Sequence, residues 1–315
     1  ADKASETPIE SLGLIKQTQG VTLKSITIKG SVSFSVSDNA SDNVTAGILI
    51  GKVVPKENSK KTLSVVSTSI IASSITITEN SLSKIKYFGG LIGDLTLGTK
   101  LENEDEDAEV LYQSKISDVF LGDTSASGNA FNINETQISI REDQVKYFGG
   151  LIGKVDTIDS SNKLAINKVE TYGSVKLISE FNNAGGLIGI VKENVSVQFG
   201  VKSKNVDSED NNNIQLNIGI ASNATTIVGG LIGYVENNSV VEIIKQVNIG
   251  TKTGITISAD ITNDTKKAYA GGLFGAMFGY ILSGYDKITM GNKILTTFSS
   301  VSYVFAGYNA MDLET

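Results

Sequence analysis

Carboxylates are the side chains of this chain best equipped for chemistry, because histidine, cysteine and tryptophan are absent. Four aspartates, Asp118, Asp123, Asp156 and Asp159, are candidates for the acidic pair or metal ligands that a polysaccharide lyase or hydrolase needs along a groove. They are scattered, and no pair of carboxylates returns at a fixed interval. The acidic run from Glu102 to Glu109 offers oxygens to calcium, but it lacks the alternating Asp/Asn register and central Gly of an EF-hand loop. A solvated surface loop is the plainer reading of residues 102–109, with calcium as the alternative. Missing Cys and His remove the thiolate nucleophile, the disulfide framework and the commonest general base and metal ligand. Arg141 is the only arginine, which weakens any reading as an anion clamp or phosphoryl-transfer site. With 27 basic against 34 acidic residues and a net charge of −7, the chain is a poor match for nucleic acid. These exclusions lead to the expectation of a protein that is not an enzyme and carries no cofactor.

What must position these residues is a repeat. Gly-Gly-Leu-Ile-Gly stands at Gly89, Gly149, Gly185 and Gly229, and variants begin at Gly47 and Gly271. Fainter echoes lie at Leu12 to Lys16 and at Ala306 to Ala310, so the first positions step by 35, 42, 60, 36, 44, 42 and 35 residues. Regular copies with degenerate ends are the mark of a solenoid, whose units cannot bury their apolar faces alone and whose terminal units are modified as caps. The phrase lacks the Lys-Ser/Thr of a P-loop and the helix that must follow it, so nucleotide binding is set aside.

Between copies, apolar and small polar residues alternate, as in Gln137-Ile138-Ser139-Ile140 and Ile255-Thr256-Ile257-Ser258, which predicts strands with one buried face. Three strands are predicted for each coil: 151–155, 164–172 and 175–181 in one unit, 187–191, 195–201 and 214–220 in the next, then 231–235, 240–249 and 255–261. The fold expected is all-β, a single parallel β-solenoid of about eight coils, with a capping coil over 1–46, repeats over 47–305 and a terminal cap over 306–315. The step of 60 is assigned to extra loop material that includes the acidic run, and residues 202–213 to a second polar insertion. Gly89 and Gly90, Gly149 and Gly150, Gly185 and Gly186, Gly229 and Gly230, and Gly271 and Gly272 are predicted to turn the corner. They would do so through positive φ and close backbone approach. The uncharged stretch from Ala268 to Tyr285 is about long enough to cross a bilayer, but it contains a motif copy and is broken by glycines, so a buried coil is expected instead. The first residues carry no apolar signal segment and no Met, which points to a processed, mature secreted product.

On these motifs the chain resembles the GLUG-repeat proteins, best over Gly229 to Val247 and over Gly149 to Gly173. In that family a Gly-Gly-Leu-(Val/Ile)-Gly phrase is followed by a short gap and an apolar-polar strand. The resemblance implies a parallel β-solenoid outside the cell, in the company of filamentous adhesin-like proteins and the non-catalytic parts of some bacterial immunoglobulin A peptidases. The Asn common after the family's motif is replaced here by Asp94, Lys154, Ile190, Tyr234 and Ala276.

The functional expectation is therefore a secreted or cell-surface structural or adhesive protein, whose partner is another copy, a surface protein or a glycan. A polysaccharide-active β-helix enzyme is the alternative. Ice or crystal-surface binding is a further one, limited by Thr76-Ile77-Thr78 being the one clear Thr-x-Thr strand. Strand alternation adds a candidate surface: if Leu91, Gly93 and Leu95 point inward, then Ile50, Ile92, Ile152, Ile188, Ile232 and Phe274 form an outward apolar stripe suited to a partner. A bend at the glycine pair would bury Leu and Ile together and abolish the stripe.

Overall fold

The computed structural model describes residues 10–36, 40, 43–56, 62–77, 84–99, 114–122, 131–134, 146–177, 183–200, 214–222, 227–249, 255–259, 269–283, 288–290, 294–297 and 304–305. Every element among them is a strand and every strand pairing is parallel, giving three sheets that wind as a β-solenoid. The first sheet has eight short rungs, from Ser11–Leu12 through Ile85–Gly89, Tyr147–Gly149 and Asn183–Gly185 to Val304–Phe305. The second has seven, from Ile15–Thr18 through Ile92–Leu97 and Ile152–Thr157 to Phe274–Met277. The third carries the long side of each coil, as Thr22–Phe34, Ser64–Ile77 and Lys163–Leu177 show.

The division of a coil into strands differs from the expectation. The short strand that ends on the first motif Gly, such as Tyr147–Gly149, was not anticipated, and the strands expected at 164–172 and 175–181 are one run, Lys163–Leu177. Tyr172-Gly173-Ser174 reads as a break along the chain. In the sheet it is held by its neighbours, Gly173 pairing with both Phe131 and Ile218. Later coils do break the long side, into Ser196–Phe199 and Ile214–Ser222, then into Val240–Ile243, Val247–Ile249 and Ile255–Ala259.

Stacked rows of like residues make the core. Phe88 and Phe148 lie in register between Ala46 and Ala184, with their rings stacked at 5.7 Å, and Phe34 meets Phe88 edge-on at 5.5 Å. Val53, Leu95, Val155, Val191, Val235 and Met277 form a second buried row, and Val65, Ile116, Ile166, Phe199 and Ile243 a third. Removing such rows from water is the main favourable term in folding, and a lone coil has no neighbour to complete them.

Both echoes shift in register. In the first sheet Leu12 pairs with Ala46, whereas Ile15 pairs with Ile50 in the second, so the N-terminal corner is one residue shorter than its neighbour. At the other end Phe305, rather than Ala306, stands opposite Gly271. The residues of the uncharged stretch that are described form strands of the coil, Tyr269–Gly271, Phe274–Met277 and Tyr280–Ser283. Among the described residues no helix is long and apolar enough to cross a membrane.

Candidate functional site

The repeated phrase sits at the corner where the first sheet turns into the second. There the Leu carbonyl of each rung from Leu91 to Leu273 accepts two successive amides of the rung before. Leu151 O takes Leu91 N at 2.9 Å and Ile92 N at 3.0 Å, and Leu231 O takes Leu187 N at 2.9 Å and Ile188 N at 3.1 Å. In a regular strand successive amides point to opposite neighbours. Two that reach the same oxygen mean that alternation is interrupted at this residue, as at a bulge. The consequence corrects the proposed stripe: Ile50, Ile92, Ile152, Ile188 and Ile232 are 0% exposed and Phe274 is 4%. Leu49, Leu91, Leu151, Leu187, Leu231 and Leu273 are buried beside them, so the corner sends both side chains into the core and offers no apolar contact surface.

The glycines hold this corner by steric means alone. Glycines with positive φ occur at Gly20, Gly30, Gly122 and Gly200, none of them in a motif copy, so the expectation of left-handed corner glycines is not met. Instead, a Cβ on Gly89, Gly149, Gly185 or Gly229 would overlap the carbonyl oxygen of the Ile three residues on, and would lie 2.6–2.7 Å from an amide of the next rung. The fifth glycine is as tightly held: a Cβ on Gly153 would stand 2.5 Å from Gly93 O. Meanwhile the amides of Gly90, Gly150, Gly186 and Gly230 donate to the carbonyls of Gly149, Gly185, Gly229 and Gly271 at 3.0–3.2 Å, carrying the ladder round the bend. Gly272 continues the same position in the last copy.

The densest chemistry lies just past this corner. Lys52, Asp94 and Lys154 occupy one register row of the second sheet. Lys154 Nζ stands 3.1 Å from Asp94 Oδ1 and donates to Asp156 Oδ2 at 3.1 Å. The Asp94 side chain is only 4% exposed and that of Lys154 14%. Tyr87 and Tyr147, stacked at 5.4 Å, close the cluster from the first sheet, and Lys154 Nζ lies 5.1 Å from the centre of the Tyr87 ring. Burial raises the Asp94 pKa although Lys154 opposes it. Burial also acts to lower the Lys154 pKa, but Asp94 and Asp156 outweigh it and hold the amine charged. Tyr87 is pushed up to about 12 by burial and then by the charges of Asp94, Asp156 and Glu236, and Tyr147 is raised by burial and by Tyr87.

The other carboxylates are divided among separate places. Asp118 lies on the third sheet, where Ser67 Oγ donates to its Oδ2 at 2.8 Å and Lys168 Nζ sits 2.7 Å from its Oδ1. Hydrogen bonding from Lys168, against some desolvation, lowers its pKa. Asp159 accepts from Ser161 N at 2.9 Å and closes a turn. Asp123, the acidic residues 102–109 and the insertion 202–213 lie outside the described residues. Asp118 lies on the third sheet and Asp156 on the second, and among the described residues no group of three or more His, Cys, Asp or Glu could hold a metal ion. Sequence reasoning missed the Lys154–Asp94 pair. The signal was present in the alternating charges Lys52, Asp94 and Lys154 at the place after each motif, legible once the copies are aligned.

Comparison with family models, with curated proteins and with solved structures gives no match.

Proposed function

We propose that the chain is a non-enzymatic structural or adhesive β-solenoid of the cell exterior, which presents the outer sides of its coils to a surface protein, a glycan or another copy. One observation carries this reading: most of the described ion pairs hold coil to coil, while Asp156 and Asp159 are bonded within their own coil. Asp94 and Lys154 bridge adjacent rungs, Ser67, Asp118 and Lys168 bridge three, and Lys192 pairs with Glu236 of the next. A catalytic carboxylate needs a partner across a cleft and a proton to exchange with substrate, whereas these are fixed to their neighbours in register. The location outside the cell rests on the resemblance to GLUG repeats and on the extracellular setting that it implies.

The test has two arms. Antibody labelling of intact source cells, with fractionation, should place the chain at the surface or in the medium; confinement to the cell interior would overturn the reading. A polysaccharide panel assayed with and without calcium should show no new reducing ends or unsaturated products. Turnover that is lost in an Asp156→Asn or Asp118→Asn variant would establish the enzymatic alternative instead.

A further inference from the structure

We propose that Lys154 and Asp94 condense to an intramolecular amide, a covalent bond between two neighbouring coils of the solenoid. Three features of the site converge on this reaction. The two groups are register partners on adjacent parallel strands, so the backbone ladder holds them together in every folded molecule, with Nζ 3.1 Å from Oδ1. Holding reactants in such contact substitutes for an effective concentration of about 10⁵–10⁸ M when the approach is productive. Burial then distinguishes this pair from the others. Lys168–Asp118 is as close, at 2.7 Å, but its side chains are 41% and 28% exposed and remain open to water. Asp94 is buried, and its Lys154 partner lies over the Tyr87 ring, where an ion pair is costly to desolvate and a neutral amide is not. Finally, Asp156 supplies a second carboxylate on the same amine, at 3.1 Å, able to carry protons.

The bond-making is balanced without any outside reagent. Asp156 passes one proton from the Lys154 ammonium to the Asp94 carboxylate, whose protonated form burial favours, and the freed nitrogen lone pair attacks Cγ of that carboxyl. Nitrogen bonds to carbon and one C–O bond breaks, its electron pair leaving with the oxygen. The departing hydroxyl takes the second nitrogen proton, again by way of Asp156, so that one water leaves and the third nitrogen proton stays on the amide. Two opposite charges disappear together and the net charge of the protein is unchanged.

The measurement is the intact mass of the purified, folded chain under denaturing conditions. The proposal expects a mass lower than that of the sequence by one water, and a digest in which the peptide holding Lys154 is joined to the peptide holding Asp94. Lys154→Arg and Asp94→Ala should each restore the sequence mass. Asp156→Asn, which keeps both reacting groups, should form the bond far more slowly. A folded wild-type chain with the full sequence mass after prolonged incubation overturns the proposal, and this reading needs no variant to fold. Loss of one water that persists in Lys154→Arg also overturns it, since the cross-link would then lie elsewhere.

Discussion

The motif corner and the long side of the coil solve the same problem, turning a stacked chain, by opposite means. At the corner the interior rungs repeat one another: Gly89, Gly149, Gly185 and Gly229 leave no room for a Cβ, and one Leu carbonyl gathers two amides at each step from Leu91 to Leu273. On the long side the turn is made by residues with side chains. Ser25, Ser67, Asp118 and Lys168 have φ between 44° and 57° at the same place in successive rungs of the third sheet, as their flanking pairs show. A left-handed residue with a Cβ costs about 1–2 kcal/mol. Cross-rung bonds from Ser67 and Lys168 to Asp118 offset part of that cost. A steric solution admits one residue type and so repeats in sequence. A conformational solution stabilised by surface polar contacts admits several, and so leaves no motif.

The sharpest way to break the comparison is at the corner. Leu187→Asp would place a charge at a position that is 0% exposed, and should cost more than about 4 kcal/mol and abolish cooperative unfolding. Circular dichroism and a thermal melt check this, and an unchanged melting temperature would remove Leu187 from the core row. Next in size, the triple change of Ile92, Ile152 and Ile188 to Thr should lose the fold, each replacement costing about 1–3 kcal/mol for a buried hydroxyl in place of packed methylene. A triple variant that melts like the wild type would return these side chains to the surface.

On the long side the effects should shrink and depend on backbone rather than volume. Asp118→Val puts a β-branched residue at φ 57° and is expected to cost about 1–3 kcal/mol, whereas Asp118→Gly relieves the strain and should sit near neutral. Chemical denaturation of the two variants separates them; equal losses would mean that the side-chain bonds, and not the conformation, set the cost.

The smallest effects are in pH. The lowered pKa of Asp118 means a contribution present above the ordinary Asp value and lost as pH falls through the folded one. Wild type and Asp118→Asn should therefore converge in melting temperature in acid, by a modest amount because the pair is exposed. Tyr87 works in the other sense. With its folded pKa at about 12, above its ordinary value, the native state keeps a proton that the unfolded state has lost, and stability falls as pH rises between the two. Ultraviolet titration should show phenols ionising late, one fewer of them in Tyr87→Phe, since Tyr147 and Tyr234 are raised by burial as well.

The sequence by itself determined the architecture. Six copies of one phrase, alternating apolar residues and degenerate ends sufficed for a parallel solenoid, because stacked coils impose the same steric demand at every rung and therefore the same residues. It also pointed Leu91 and Leu95 inward, and the structure buries both. What only the tertiary structure decided is where side chains point once alternation is interrupted. The Ile row passes inward because two amides share one carbonyl, a fact of the neighbouring rung that no local period records. For the same reason the Asp94 and Lys154 pair was hidden: 60 residues separate them along the chain, and only the register of adjacent strands puts a carboxylate against an amine. The left-handed row from Ser25 to Lys168 left no trace in residue type, since its conformation is held by contacts between coils.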